Sequence, residues 1–213
     1  MVPDFEYFMR MRVKSIYSHS FIGLLWFDLP LTIILAFIFH YVVRNTLINN
    51  LPGFLAARLI AFTDFDWNAY FKRKYIIVIV SALLGASSHI AWDSFTHEDG
   101  FAVERISDLS NSIQLFGTGI PLFKLLQHGS SAVGAIAICI TIVSLPALPF
   151  KRRSGIWKHW LLTAFVAVII VGVNIALGLN PKFYGHVVVT AITGILTGLT
   201  TASLVLKHQN RLQ

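Results

Sequence analysis

HSFIGLLWFDLPLTIILAFIFHYVV, residues 19–43, contains one acid, Asp28, and no Lys or Arg in twenty-five residues. A bilayer's hydrocarbon layer needs about 20 apolar helical residues to cross it, so this stretch reads as a membrane span. Four further blocks repeat the pattern, over about 75–93, 121–148, 157–179 and 186–206. Of the whole chain, 55% is hydrophobic and only 13% charged, whereas soluble domains carry about 25% charged residues. The predicted fold is therefore all-α: one integral membrane domain over 1–213, a polytopic transmembrane helical bundle of about five spans plus interfacial amphipathic helices.

The segments between the blocks fit that reading. Residues 1–18 lack the apolar core and small-residue cleavage site of a signal peptide. Leu51 to Phe62 is amphipathic and suits the interface, and Trp67, Tyr70 and Phe71 suit the headgroup level. Residues 94–120 are polar, but Val103, Ile106, Leu109 and Ile113 fall near helical spacing. GTGIP, 117–121, breaks the chain before the third span, and Lys151, Arg152 and Arg153 close that span. Small residues four apart would let helices approach closely, at Ser81 with Gly85, Ser130 with Gly134, and Gly194 with Gly198.

The formal charge of +7 does not indicate nucleic acid, because Lys and Arg sit in short loops and form no basic stripe interleaved with aromatics. Cys139, the single cysteine, can neither form an internal disulfide nor anchor a thiolate zinc site. With five spans, the N-terminus, the 94–120 loop and the 179–185 turn share one side. That side carries six Lys and Arg and the other eleven. The positive-inside rule then places the N-terminus outside and the C-terminus in the cytoplasm. Acids are distributed the opposite way: Asp4, Glu6, Asp93, Glu98, Asp99, Glu104 and Asp108 against Asp64 and Asp66.

The densest polar motif is SSHIAWDSFTHEDG, residues 87–100. His89, Asp93 and His97 are spaced i, i+4, i+8; each step of four drifts only about 40° around a helix, so all three can share one face. Imidazole with carboxylate suits zinc, manganese or iron. A divalent ion needs three or four such ligands, and His19, His128 and Asp4 are on the same side to supply them. A solvated helix end would carry the same residues without an ion. Asp28 lies inside a span, where a carboxylate is costly and points to function, but it is about 13 Å along an ideal helix from His19. Phosphate-cradling glycine loops, the serine-nucleophile elbow and HExxH are all missing from the sequence.

PDFEYF at 3–8, HSFIGLLWFDLPL at 19–31, LPGFLAARL at 51–59, SSHIAWDSFTHEDG at 87–100 and LLQHGSSAVG at 125–134 together resemble a bacterial membrane family catalogued as domain of unknown function 4184. The last two spans match it in hydropathy alone. That family is in turn similar, in its P-D, H-S and H-x3-D order, to membrane-bound metal-dependent hydrolases. Its members usually carry a further Ser-His pair before P-D; here Met1 falls where the family runs on. The expectation is either a start further upstream or one candidate ligand fewer.

Three functions follow as expectations. The first is a hydrolase with His19, His89, Asp93, Asp4, His97 and His128 as candidate metal ligands and Glu98 or Asp99 as base. The 101–116 segment would cover its site, and a lipid or envelope precursor would be its substrate. A transporter or ion-conducting protein relaying through Asp28, and a scaffold whose polar motifs only fix helix packing, are the alternatives.

Overall fold

The computed structural model describes residues 2–115, 117–150 and 156–209, the last two by their backbone. Lys151, Arg152, Arg153 and Arg211 lie outside the described residues. Five helices are long and apolar enough to cross a bilayer: Phe21–Asn49, Trp67–Thr96, Leu122–Ser144, Ile156–Ala176 and Tyr184–Lys207. Most of their large apolar side chains point outward, among them Leu84, Val133, Leu161 and Val168. In water such a surface would be an aggregation liability; in lipid it is the solvated face. The chain is an all-α polytopic bundle.

The spans differ from expectation where local chemistry moves their ends. The first contains two π-helical turns, Leu24–Asp28 and Phe39–Val43. Pro30 follows the first of them. Proline cannot donate to the carbonyl four residues back and its ring collides with it, and a widened turn relieves both faults. The second span starts at Trp67, not Tyr75, because the Asp66 side chain accepts the Ala69 N–H at 2.9 Å and caps it. Its backbone leaves the helical region at Lys74, which sets the interfacial turns 67–73 at an angle to the span. The third ends at Ser144, ahead of Pro146 and Pro149. Gly178, with φ of +98°, follows the fourth, a backbone state that costs glycine little.

Spans four and five form the tightest pair. A Cβ on Gly194 would stand 2.9 Å from Ala167 Cα, and one on Gly198 only 2.5 Å from the Thr163 carbonyl oxygen. Of the three small-residue pairs, this one brings two helices into backbone contact. A Cβ on Gly85 or Gly134 would meet nothing within 4 Å, so both belong to open helix faces. Ser130 does meet the second span, accepting the Trp92 indole N–H at 3.1 Å.

The polar 94–120 loop corrects a second expectation. Its helical spacing is not one helix: Phe101–Arg105 and Ser107–Ser110 are separated by Ile106 in extended conformation. Val103 and Leu109 are buried with Ala102 against Phe123, while Ile106 and Ile113 are exposed. Ser112–Leu115 and Thr118–Pro121 then form an antiparallel hairpin, Ser112 opposite Pro121 and Leu115 opposite Thr118. Gly117, with φ of +79°, lies at its turn.

A short helix, Phe5–Arg10, packs on the fifth span. Thr193 donates to the Phe8 carbonyl at 2.8 Å and Thr190 to that of Met11 at 3.3 Å. Spans four and five thus brace the N-terminal segment, the part of the chain that carries Asp4.

Candidate metal centre

Three separate segments deliver the site. The second span supplies His89 and Asp93 one helical turn apart, which their spacing of four dictates. The loop before the first span supplies His19, and the segment leading into the N-terminal helix supplies Asp4. In the folded chain these four side chains each present one donor atom, and the four atoms all lie within 4.8 Å of one another. His89 Nε2 is 3.1 Å from Asp4 Oδ2 and 3.2 Å from Asp93 Oδ2. His19 Nε2 is 3.5 Å from Asp93 Oδ2 and 3.8 Å from Asp4 Oδ1. All four residues are half-buried.

His19 is held by a network that begins at Glu6. This carboxylate is buried and accepts the backbone N–H groups of Ile16, Tyr17 and Ser18 at 3.0, 2.9 and 2.9 Å. Arg10 Nε donates to it at 2.7 Å, and the Ser15 and Ser18 hydroxyls at 3.1 and 3.0 Å. Burial would raise its pKa, but these hydrogen bonds outweigh it and hold the group at about 2. Ser18 and Ser15 also lie 2.9 and 3.1 Å from His19 Nδ1. Ser15 and Ser18 also lie 2.8 Å from each other; with their protons committed to Glu6 and to one another, both hydroxyls accept from the ring, the arrangement that places the proton on Nδ1. The Nε2 lone pair is then left facing the cluster, the arrangement outer partners impose on ligating histidines.

Two further features tune the centre. Tyr7 stacks on His19 with ring centroids 5.5 Å apart. Burial, then the charges of Asp4 and Asp93, push its phenol up to about 12, so it stays protonated as a donor. For Asp4, burial favours the neutral form, yet the close approach and charge of His89 prevail and lower its pKa.

The donor set suits a divalent cation. Two imidazoles and two carboxylates match the preferences of zinc, manganese or iron. Ligand atoms about 2.1 Å from a tetrahedral ion are about 3.4 Å apart, and the four gaps above bracket that spacing. His89 Nε2 is shielded from solvent and makes no hydrogen bond of acceptable angle, although two carboxylate oxygens stand near it.

Other candidate residues lie outside the four. The helix ends at Thr96, and His97 continues in extended conformation, so the i+8 relation to His89 is lost. Its Nδ1 is 3.7 Å from Asp93 Oδ1 and its Nε2 is 3.0 Å from Gln127 Nε2, making it a neighbour of the candidate ligand Asp93. His128 is exposed on the third span, and Glu98 and Asp99 are exposed in the turn after His97. Asp99 is near enough for its charge to act on Tyr7. Asp28 is fully buried in the first π turn, apart from the four. Glu6, Ser15, Ser18 and Tyr7 were not singled out in the sequence; the one available signal was an acid two residues from Asp4 within an aromatic run.

A family model described as Domain of unknown function (DUF4184) matches residues 1–206. No curated protein and no solved structure matches the chain.

Proposed function

We propose, for a chain that belongs to the DUF4184 family, a metal-dependent hydrolase working at one face of a membrane. The observation that carries this reading is the convergence of Asp4, His19, His89 and Asp93, with His89 Nε2 left without a hydrogen bond. These four would hold zinc, manganese or iron. When bound, such an ion acidifies water towards a pKa of about 7 and polarises an ester or phosphoester oxygen.

The chain's own groups supply the rest. Glu6, through Ser15 and Ser18, keeps His19 in the ligating tautomer. Tyr7 remains a hydrogen-bond donor beside the cluster, suited to a developing negative charge. Asp99, or its neighbour Glu98, takes a proton from the attacking water and returns it to the leaving oxygen. One bond forms from water oxygen to phosphorus or acyl carbon, and the bond to the leaving oxygen breaks. His97 steadies Asp93, and His128 stays in reserve on the same side. The substrate class is a lipid or envelope precursor. The protein would reside in the inner or plasma membrane, N-terminus outside and C-terminus cytoplasmic, following the Lys and Arg distribution.

The test is metal content by mass spectrometry on protein purified in mild detergent. Near-stoichiometric zinc, manganese or iron, lost on His89→Ala, is the expected result. A metal-free wild type, or a fully loaded His89→Ala protein, sinks the reading.

A second reading has its own observation. Neither carboxylate oxygen of Asp28 has a hydrogen-bond partner among the described residues, and an intramembrane acid in that state suits uptake of a proton or cation. A transporter or channel built on it would show liposome flux that Asp28→Asn abolishes.

A further inference from the structure

His19 belongs to two sites. Its Nε2 faces the cluster, and the residue also lines a cleft of about 520 Å³ between the first and second spans. That volume lies within the usual range for small-molecule sites, about 300–1,000 Å³. Phe21 and Leu24 of the first span and Ile90 and Ala91 of the second form its apolar walls, with Phe101 beside them. On the second span the lining runs from Ser94 to Ser87, about 10 Å of helix. The cleft therefore lies alongside the cluster, since His89 and Asp93 fall between Ser87 and Ser94, and reaches about 3 Å of helix beyond His89 into the span. A water-soluble substrate has no use for walls of that kind.

Its outer end has a different character. Phe21 is 92% exposed and Phe101 65%, and the Arg105 guanidinium lies 3.5 Å from the Phe101 ring centroid. Exposed aromatic rings with a guanidinium over one of them suit the headgroup level. Arginine there favours phosphate, which it binds through paired N–H donors.

We infer that this cleft is the chain subsite of the proposed hydrolase, and that its substrate is a phosphate-bearing membrane lipid. One hydrocarbon chain lies between Leu24 and Ala91, the scissile group lies beside His19, and the lipid enters sideways from the bilayer. The inference rests on the hydrolase reading for the word substrate; the chain subsite has its own evidence in the cleft.

The experiment uses the full chain in phosphatidylcholine nanodiscs containing a small fraction of phosphatidic acid with a diazirine midway along one acyl chain. Photolysis followed by peptide mass spectrometry should show saturable labelling at Leu24, Ile90 and Ala91. Ala91→Trp, which fills the cleft, should abolish it, and Ser87→Phe serves if that variant does not fold. Labelling at Leu35 and Leu199, in the apolar groove between the first and fifth spans, should not change. Unsaturable labelling spread evenly over both regions overturns the inference. Equal labelling by a diacylglycerol probe with the same diazirine, which has no phosphate, overturns the preference for a phosphate-bearing lipid. Metal content of the same samples separates the two ideas: bound metal without cleft labelling leaves the hydrolase and removes the subsite, and cleft labelling without metal does the reverse.

Discussion

Two polar clusters occupy opposite ends of the bundle, and they differ in how far the hydrogen bonds of their central side chains, Arg44 and His89, close. At the basic end, Arg44 is buried and four of its five N–H donors are matched. Its Nε bonds Asn45 Oδ1 at 2.8 Å, Nη1 bonds the Phe65 carbonyl at 2.7 Å and His40 Nδ1 at 3.0 Å, and Nη2 bonds the Thr63 carbonyl at 2.9 Å. His40 in turn stacks on Trp67, centroids 4.7 Å apart, and the Trp67 indole N–H has no hydrogen-bond partner among the described residues. Such a network ties the 60–66 connection to the first span and commits most of the Arg44 guanidinium. At the acidic end the same residue types converge without closing, since His89 Nε2 has neighbours but no hydrogen bond. Satisfied buried networks rigidify a fold, and unsatisfied convergent ones mark places where something else binds.

The contrast can be broken most directly by crossing two substitutions. His89→Ala should remove bound metal while leaving the melting temperature of the metal-stripped protein close to wild type. Arg44→Met should do the opposite, lowering stability by about 3 kcal/mol as the carbonyls of Thr63 and Phe65 lose a charged donor. It should keep its metal per folded molecule. If Arg44→Met loses metal at full stability, the two ends are not divided as described.

Glu6→Gln sharpens the comparison within the acidic end. Outer-shell changes cost about 10–100-fold in metal affinity, and competition with a chelator measures that loss. The pH dependence has a definite sign. Glu6 is held near 2 against an ordinary 4.5, so its stabilisation is complete above the ordinary value and disappears as pH falls towards 2. Melting temperature should fall with acid over that window in wild type, and fall less steeply in Glu6→Gln. Asp4, lowered in the same direction, supplies the remaining slope.

Gly198→Ala tests the brace behind the N-terminal helix. The added methyl meets the Thr163 carbonyl, so a loss of about 1–3 kcal/mol is expected, whereas Gly85→Ala should be neutral or slightly stabilising. The smallest effect belongs to His97→Ala. A side chain 45% exposed and 3.7 Å from Asp93 should change metal affinity by only a few-fold. A loss as deep as that of His89→Ala would place His97 among the ligands.

The parts legible in the sequence share a short range. Each span was visible because twenty apolar residues in a row have one stable environment, and its core needed no partner to be recognised. His89 and Asp93 were visible together because four residues make one turn. Asp66 as a cap and Pro30 beside a widened turn are local features too, but neither entered the predicted bounds, so span ends moved by up to eight residues, Tyr75 to Trp67, while the number of spans held. Function was legible only as residue types: histidines and aspartates on one side of the membrane.

Everything that joins those residues depended on contacts between distant segments. Asp4 reaches the second span because Thr190 and Thr193 on the fifth hold the helix behind it, and no local pattern carries that information. The tautomer of His19 follows from Glu6, thirteen positions earlier, through two serines that hydropathy treats as filler. His97 and the 101–116 segment failed as helical extrapolations for the same reason: periodicity describes a helix but not where it ends. Hydropathy and turn length act over tens of residues along the chain, so they settle membrane embedding and span order. Ligand convergence to a few ångströms is a sum of helix packing, capping and hydrogen bonding, and exists only once the spans have met.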